Sequence, residues 1–417
     1  MNSWLELFQR ALYTLLKGVL NPLFWVVIYI VYIQYRRIFK MEISILGRAK
    51  HSLKDKLIRA IWMGLFGGTI GTFLIILLGI TIESLDFVFL LPLAIFLMIF
   101  NVRYVCFSYA GGLMSLCSLI FKVPAINVSS LMAIVAILHL IESVLIWIDG
   151  DRDATPIFIE DKCYGVIGGF SLQRFWPIPL TILVMMIGVL EGAQEIYLPN
   201  WWPLFSINQV DREISNRMFQ LSLIVAALGY GDMTLSRTPK EKSKKSSLRL
   251  LGYSILLLSF AGLSTQIYVF KWIAALFAPL AHEALILYGQ KEERRLPPIF
   301  RNYKEGITIL DVFKGEIGEK MGLEQGDVIL RINNQIVVSQ ESIKEILKDF
   351  PPYVWIEIRN RKGIIKTIEY KDYRKGIRSI GIVVVPQHPN IIFQAQDSFS
   401  IGKRLIHKDF GNKKTTM

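Results

Sequence analysis

Ionisable side chains lie inside several apolar segments of this chain of 417 residues, where they could bind a metal or relay protons. His139 and Glu142 are three residues apart on one helical face, and Glu191 and Glu195 are four apart on another. Asp232 lies in a further apolar run. Titratable groups are costly inside a bilayer and are therefore functional candidates by default. Most of these groups fall in the outer turns of their segments, where water is close, which favours ordinary pairing or exposure.

The pair His282-Glu283 comes nearest to a catalytic motif. A His-Glu-x-x-His run on a helix binds zinc through two imidazoles and uses the glutamate as a base, as in membrane-embedded site-2 proteases. Here Ile286 occupies the second ligand position. A rhomboid-like serine protease is equally disfavoured, because Ile255 follows Ser254 where that pattern needs a glycine. We therefore expect no catalytic residue, no metal and no cofactor, and the three cysteines have no metal-like spacing.

The most specific pattern in the chain is the stretch 306–333. Alternating apolar residues over 307–312 predict a half-buried strand, and 317–321 can form one short helix that Gly322 closes. A tight turn then leads into a second strand over 328–332. Gly326 stands where this turn needs a positive φ, and the carboxylate of the next residue, Asp327, can cap it.

This stretch resembles a PDZ domain, through the run Met321-Gly322-Leu323-x-x-Gly326-Asp327-x-Ile329-Leu330-x-Ile332-Asn333. The elements that follow are a predicted amphipathic helix over 340–348, strands over 354–358 and 364–370, and a closing strand that ends at 385. The structural motif residues that the resemblance implies are Gly322, Leu323, Gly326 and Asp327.

In PDZ domains an apolar-Gly-apolar loop presents N–H groups to the terminal carboxylate of a peptide, and the adjoining strand pairs with that peptide. Ile380-Gly381-Ile382 resembles this loop, moved to the end of the domain as in circularly permuted bacterial forms. A peptide groove is then expected between strand 382–385 and helix 340–348. The alternative loop is 304–307. The predicted groove residues are Ser379, Ile380, Gly381, Ile382, Val383, Val384, Ile343, Ile346 and Leu347.

Composition divides the chain into a membrane part and a polar part. With 53% hydrophobic residues and a mean hydropathy of +0.42, it is too apolar for an ordinary soluble protein. We predict an α-helical polytopic membrane domain of six to nine spans over 1–290, a small α+β PDZ-like domain over 291–385, and a flexible basic tail over 386–417. The pattern also predicts an amphipathic helix over 3–19 and a β-hairpin over 155–170, which is either a docking loop for a partner or a packed connector. The predicted spans are 20–35, 60–82, 87–102, 104–121, 124–148, 178–198, 218–236, 250–270 and 272–289.

Basic residues are concentrated in three connections between the predicted spans. The connections 36–59, 237–249 and 290–304 carry eight, six and five Lys/Arg, and a nine-span path puts all three on one side. The positive-inside rule makes that side cytoplasmic, and the PDZ-like domain with it. The net charge of +13 belongs mostly to these flanks, which favours attraction to anionic membrane lipids over nucleic-acid binding.

Many spans followed by one PDZ-like domain, without a protease motif, resemble the MinJ family of Gram-positive bacteria. The resemblance rests also on Phe175-Trp176-Pro177-Ile178-Pro179 and on His282-Glu283 before a basic boundary. It implies a non-catalytic scaffold in the cell membrane that bridges DivIVA-like and MinD-like cell-division proteins at the septum and poles. The alternatives are a degenerate or active intramembrane protease or regulator, and an ion-coupled membrane sensor that uses Glu142, Glu191 and Glu195.

Overall fold

The computed structural model describes residues 3–82, 84–100, 102–187, 199, 201–205, 217–303 and 305–387. Most of the predicted tail 386–417 lies outside these residues. The first part of the chain combines helices with a sheet of four strands, β1 to β4. The helices are α1 (Ser3–Gly18), α2 (Pro22–Leu46), α3 (Leu53–Leu78), α4 (Ser84–Phe100), α5 (Phe107–Phe121), α6 (Val128–Asp149), α7 (Pro239–Leu263) and α8 (Val269–Arg295). The strands are β1 (Thr81–Ile82), β2 (Thr155–Asp161), β3 (Gly165–Ile187) and β4 (Arg217–Thr234).

Four of the described helices, α3, α6, α7 and α8, are long and apolar enough to cross a membrane. A fifth span is possible if α1 and α2, which are bent by 60° at their junction, act together. The predicted count of six to nine spans is thus not confirmed. Helices α4 and α5 replace two predicted spans but have only 17 and 15 residues, and about 20 are needed to cross the hydrocarbon core. The predicted amphipathic helix at the N-terminus is present as α1.

Two of the predicted spans were wrong in type, because their described parts are strands. Residues 178–187 belong to β3 and 218–234 to β4, and the two strands pair antiparallel from Phe170–Thr234 to Ile187–Arg217. A continuous apolar run does not distinguish a buried strand from a buried helix. Pro177 and Pro179 do not exclude a helix over 178–198, because proline is tolerated before a helix and in its first turn.

Pro177 and Pro179 remove two N–H groups that would otherwise lack acceptors at the edge of β3 opposite β4. The N–H of Phe175 donates to the hydroxyl of Tyr35 at 3.2 Å, and the N–H of Thr181 donates to Oγ1 of Thr72 at 2.9 Å. Alternate residues of a strand point their N–H groups to the same edge. Pro177 and Pro179 occupy the two positions between these, where an N–H would face a helix backbone with no acceptor.

A stripe of glycines on α3 allows the helix to lie directly on this edge. A Cβ atom at Gly64 would be 1.9 Å from the carbonyl oxygen of Pro177, and one at Gly68 would be 2.1 Å from that of Pro179. Both positions are therefore closed to any larger residue. Close approach through small residues is the usual way that elements pack inside a membrane.

The polar part of the chain forms a second, antiparallel sheet with the strand order β10, β5, β6, β8, β9, and β7 pairs with β6. The predicted strands and helices of this part are all present. The bounds are β5 (Ile307–Val312), α9 (Ile317–Lys320), β6 (Val328–Ile332), β7 (Gln335–Ile336), α10 (Gln340–Ile346), β8 (Tyr353–Arg359), β9 (Ile365–Lys371) and β10 (Ile382–Val384).

The second sheet packs against the hairpin of β2 and β3. Leu310 and Val385 are buried in the same apolar cluster as Phe170 and Phe300, and the N–H of Gly168 donates to the carbonyl of Phe300 at 2.7 Å. The predicted hairpin over 155–170 is thus present: most of its strand residues are buried between the helices and the second sheet, and its tip at 162–165 is exposed.

Candidate functional site: an edge-strand groove

The apolar-Gly-apolar loop before β10 is held in a fixed conformation by its own backbone. Gly381 has φ +75°, a left-handed value that favours glycine. Its N–H donates to Oγ of Ser379 at 3.1 Å, and its carbonyl accepts from the N–H of Phe313 at 2.9 Å. The carbonyl of Ile380 accepts from the N–H of Gly318 at 2.6 Å. The loop is therefore tied to the start of α9.

Strand β10 is a terminal strand of its sheet, and no strand among the described residues pairs with its outer edge. Ile343 and Leu347 of the α10 segment are buried in the same apolar cluster as Ile380 and Val384. Ile346 and Ile382 are half-buried against this cluster. An open strand edge beside a half-buried apolar helix face is the arrangement that accepts an added peptide strand.

Val383 is placed differently from the other predicted groove residues. Its side chain packs against the apolar cluster of the helical part, with Leu310 and Val385, on the opposite face of the sheet from Ile382. Strand alternation explains this, because successive side chains point to opposite faces. Val383 can therefore contribute only backbone groups to a peptide.

The alternative loop at 304–307 lies in a less suitable place; residue 304 itself is outside the described residues. Ile307 begins β5, which is flanked by β10 on one side and β6 on the other. A central strand offers no free edge for a peptide.

The structural motif residues adopt the conformations that the sequence predicts. Gly322 and Gly326 have φ +74° and +90°, Leu323 is buried, and Oδ2 of Asp327 accepts from the N–H of Glu324 at 3.0 Å. Burial raises the pKa of the Asp327 carboxyl above its ordinary value.

A segment of the helical part lies beside the loop. Arg48 contacts Glu316 at 3.1 Å, and its guanidinium stands 3.8 Å from the ring centroid of Phe313. Lys50 forms an ion pair with Asp311. The side chain of Glu316 fills the space above Gly381, where a Cβ would meet it at 2.3 Å.

Of the candidate acidic residues in the apolar segments, Asp232 and Glu142 lie within the described residues. Asp232 is paired with Lys242 at 3.3 Å and accepts from Oγ of Ser246 at 2.8 Å, which is a structural role. Glu142 is half-buried on α6. Glu191 and Glu195 lie outside the described residues.

His139 and His282, which are far apart in sequence, converge on a third residue that the sequence pattern did not indicate. Sγ of Cys106 lies 3.1 Å from Nε2 of His139 and 3.8 Å from Nε2 of His282. Cys106 is the N-cap residue of α5, whereas the histidines lie on α6 and α8. The carboxylate of Glu283 is engaged by other residues: it accepts hydrogen bonds from Arg103 and from the hydroxyl of Tyr109, both at 2.5 Å.

A buried charge network also escaped the sequence pattern. Asp149 accepts from Nε of Arg59 at 2.5 Å, from Nε of Arg174 at 2.9 Å and from Nε1 of Trp176 at 3.1 Å. Nearby, Glu42 and Lys56 form a fully buried ion pair. The partners come from separate segments, so no local spacing reveals them.

No protein-family model matches the chain, and no curated protein matches it. Among solved structures, the chain is similar to the PDZ domain of the SdrC-like protein from Listeria innocua, with 21% sequence identity. The match covers 20% of this chain and 99% of that one, with a TM-score of 0.18.

Proposed function

We propose that this protein is a non-catalytic membrane scaffold that recruits cell-division proteins to the septum and poles through its PDZ-like groove. The observation that carries the proposal is the open outer edge of β10 beside the apolar face of α10. Such an edge binds an extended peptide through main-chain hydrogen bonds, and the adjoining pocket selects its side chains. The partners are DivIVA-like and MinD-like proteins, by the MinJ resemblance.

Two further features support a scaffold in the cell membrane. Several helices are long and apolar enough to span a bilayer. The connections 36–59, 237–249 and 290–304 are rich in Lys and Arg, and we propose that all three lie on the same side of the membrane. By the positive-inside rule that side is cytoplasmic, and the PDZ-like domain lies there as well.

The intramembrane protease alternative receives less support from the described residues. Glu283 is engaged by Arg103 and Tyr109, and Ile286 stands where a second zinc-binding histidine is needed. An ion-coupled sensor would depend on Glu142, Glu191 and Glu195, and neutralising all three tests that alternative directly.

The proposal is tested by imaging a full-length fluorescent fusion in dividing rod-shaped Gram-positive cells. We expect enrichment at septa and poles that is lost on deletion of 300–385. A finer pair of variants is Ile346→Gln, at the groove, and Glu345→Gln, at the neighbouring exposed position of α10. Only Ile346→Gln is expected to disperse the signal.

Three results are informative. A uniform membrane signal from the unaltered fusion would contradict the division role. Enrichment that survives the deletion would assign targeting to the membrane part. Equal behaviour of Ile346→Gln and Glu345→Gln would argue against the groove as the recruiting surface.

A further inference from the structure

The cluster of Cys106, His139 and His282 has the composition of a transition-metal site. It supplies one sulfur and two imidazole nitrogens, and these atoms all lie within 4.8 Å of one another. Sulfur and imidazole nitrogen together suit Zn²⁺ and related ions, whereas Mg²⁺ and Ca²⁺ prefer oxygen. The donor atoms therefore restrict the bound ion to the transition metals of the Zn²⁺ class.

The distances agree with a shared tetrahedral centre. Zinc–sulfur and zinc–nitrogen bonds of about 2.3 and 2.05 Å at a tetrahedral angle separate the two donor atoms by about 3.6 Å. The observed separations from Sγ of Cys106 are 3.1 Å to His139 and 3.8 Å to His282. Both separations differ from the tetrahedral value by about half an ångström or less, and the nitrogens of His139 and His282 lie within 4.8 Å of each other.

The tautomer of His139 leaves the correct nitrogen free. Its Nδ1 lies 2.7 Å from the carbonyl oxygen of Val135, which only accepts, so Nδ1 carries the proton. Nε2 then presents a lone pair to the cluster. A histidine ligand oriented by a backbone carbonyl in this way is typical of protein metal sites.

The neighbouring hydroxyls are compatible with this assignment. The hydroxyl of Tyr253 donates to the carbonyl of Ala278 at 2.9 Å and so can accept from Ser108, 2.7 Å away. The Ser108 proton thus has a partner other than Nε2 of His139, which lies 3.1 Å from its oxygen. The lone pair of His139 is not consumed by a necessary hydrogen bond.

The surroundings favour an ion over a simple polar cluster. His139 is buried about halfway along α6, a candidate span, where uncompensated polar groups are costly. Cys106 lies at the N-terminus of α5 without a side-chain capping bond, and a helix N-terminus stabilises a thiolate.

From these observations we infer that Cys106, His139 and His282 bind one transition-metal ion of the Zn²⁺ class between α5, α6 and α8. The ion joins three helices that are distant in sequence and replaces weak thiol–imidazole hydrogen bonds with coordination bonds. The site is independent of the peptide groove, so failure of either proposal leaves the other standing.

The test uses the full chain, purified in detergent, stripped with a chelator and titrated with Co²⁺. We expect one Co²⁺ per chain, with the visible bands of tetrahedral cobalt and a sulfur-to-cobalt charge-transfer band, both abolished by excess Zn²⁺. The charge-transfer band should disappear in Cys106→Ser and persist in Cys117→Ser and Cys163→Ser. His139→Gln and His282→Gln should each weaken binding at least tenfold.

A second measurement needs no variant. Bound Zn²⁺ should slow alkylation of Cys106 in the unaltered protein several-fold, while the exposed Cys163 reacts at an unchanged rate. No sulfur band in the folded protein, a band that survives Cys106→Ser, or alkylation of Cys106 that Zn²⁺ does not change would each overturn the inference.

Discussion

The helical part and the PDZ-like part are stabilised in different ways. In the PDZ-like part the fully buried side chains are almost all aliphatic, such as Ile329, Ile356 and Ile358. In the helical part the buried set includes whole ion pairs, among them Glu42–Lys56 and Asp149–Arg174.

The solvent explains this difference. A domain in water gains its stability from removing apolar surface, but lipid tails are as apolar as leucine and provide no such gain between helices. Close backbone contact and polar pairing must then specify how the segments meet. The glycine stripe of α3 provides the close backbone contact, and the charge network around Asp149 provides the polar pairing.

The largest expected loss of stability comes from breaking the buried ion pair between Asp149 and Arg174. Arg174→Met leaves the Asp149 carboxylate with less compensation and should cost about 3–5 kcal/mol. The matched change in the PDZ-like part is Arg331→Met, which removes an exposed contact to Glu357 at 3.9 Å and should cost at most about 1 kcal/mol. Apparent melting temperatures in detergent measure both losses of stability, and equal losses would contradict the difference between the two parts.

The second effect tests the aliphatic core. Ile329→Ala removes a fully buried side chain and should destabilise the PDZ-like part by about 2–5 kcal/mol. Ile364→Ala, at an exposed position before β9, should change stability by no more than about 0.5 kcal/mol. Limited proteolysis in urea reports on this part of the chain. Similar protease sensitivity in the two variants would show that burial is not what stabilises it.

The third effect tests the close contact of α3 and β3. Gly64→Ala places a Cβ 1.9 Å from a backbone oxygen and should cost about 1–3 kcal/mol or more. Gly252→Ala on α7 meets open space, and alanine's higher helix propensity should leave it neutral or stabilising by up to about 1 kcal/mol. Size-exclusion profiles after heating compare the two. An unaffected Gly64→Ala variant would refute the direct contact.

The smallest effect is a pH dependence at Asp153, in the loop after α6. Burial alone would raise its pKa, but the charges of Lys56, Arg174 and His51 outweigh burial and lower the pKa below its ordinary value. The carboxylate therefore stabilises the fold above its unfolded pKa of about 3.9, and this stabilisation is lost as the pH falls through the folded value. Asp153→Asn should lower the melting temperature at pH 7 and flatten its decline in acid. A decline as steep as in the unaltered protein would exclude this role.

Features that depend on residues close together in the chain were predictable from the sequence, whereas features that depend on distant segments were not. The strand, turn and helix order over 306–333 was predictable because Gly322, Gly326 and Asp327 act within a few residues of their partners. The apolar runs 178–198 and 218–236 were misassigned because their hydrophobicity is compatible with either a helix or a strand.

The candidate sites show the same division. The Gly381 loop was recognisable from three adjacent residues, although the orientation of Val383 depends on which face of the sheet meets the helical part. Cys106 lies 33 residues from His139 and 176 from His282, and no spacing rule connects them.

The sequence by itself determined the elements whose signals are short-range: the amphipathic helix α1, the apolar segments, the turns and the strands of the PDZ-like part. Only the tertiary structure decided that two apolar runs pair as strands on the glycine face of α3, and that three distant segments bring a thiol and two imidazoles together. Local backbone preferences act over a few residues, whereas these contacts depend on where whole segments pack.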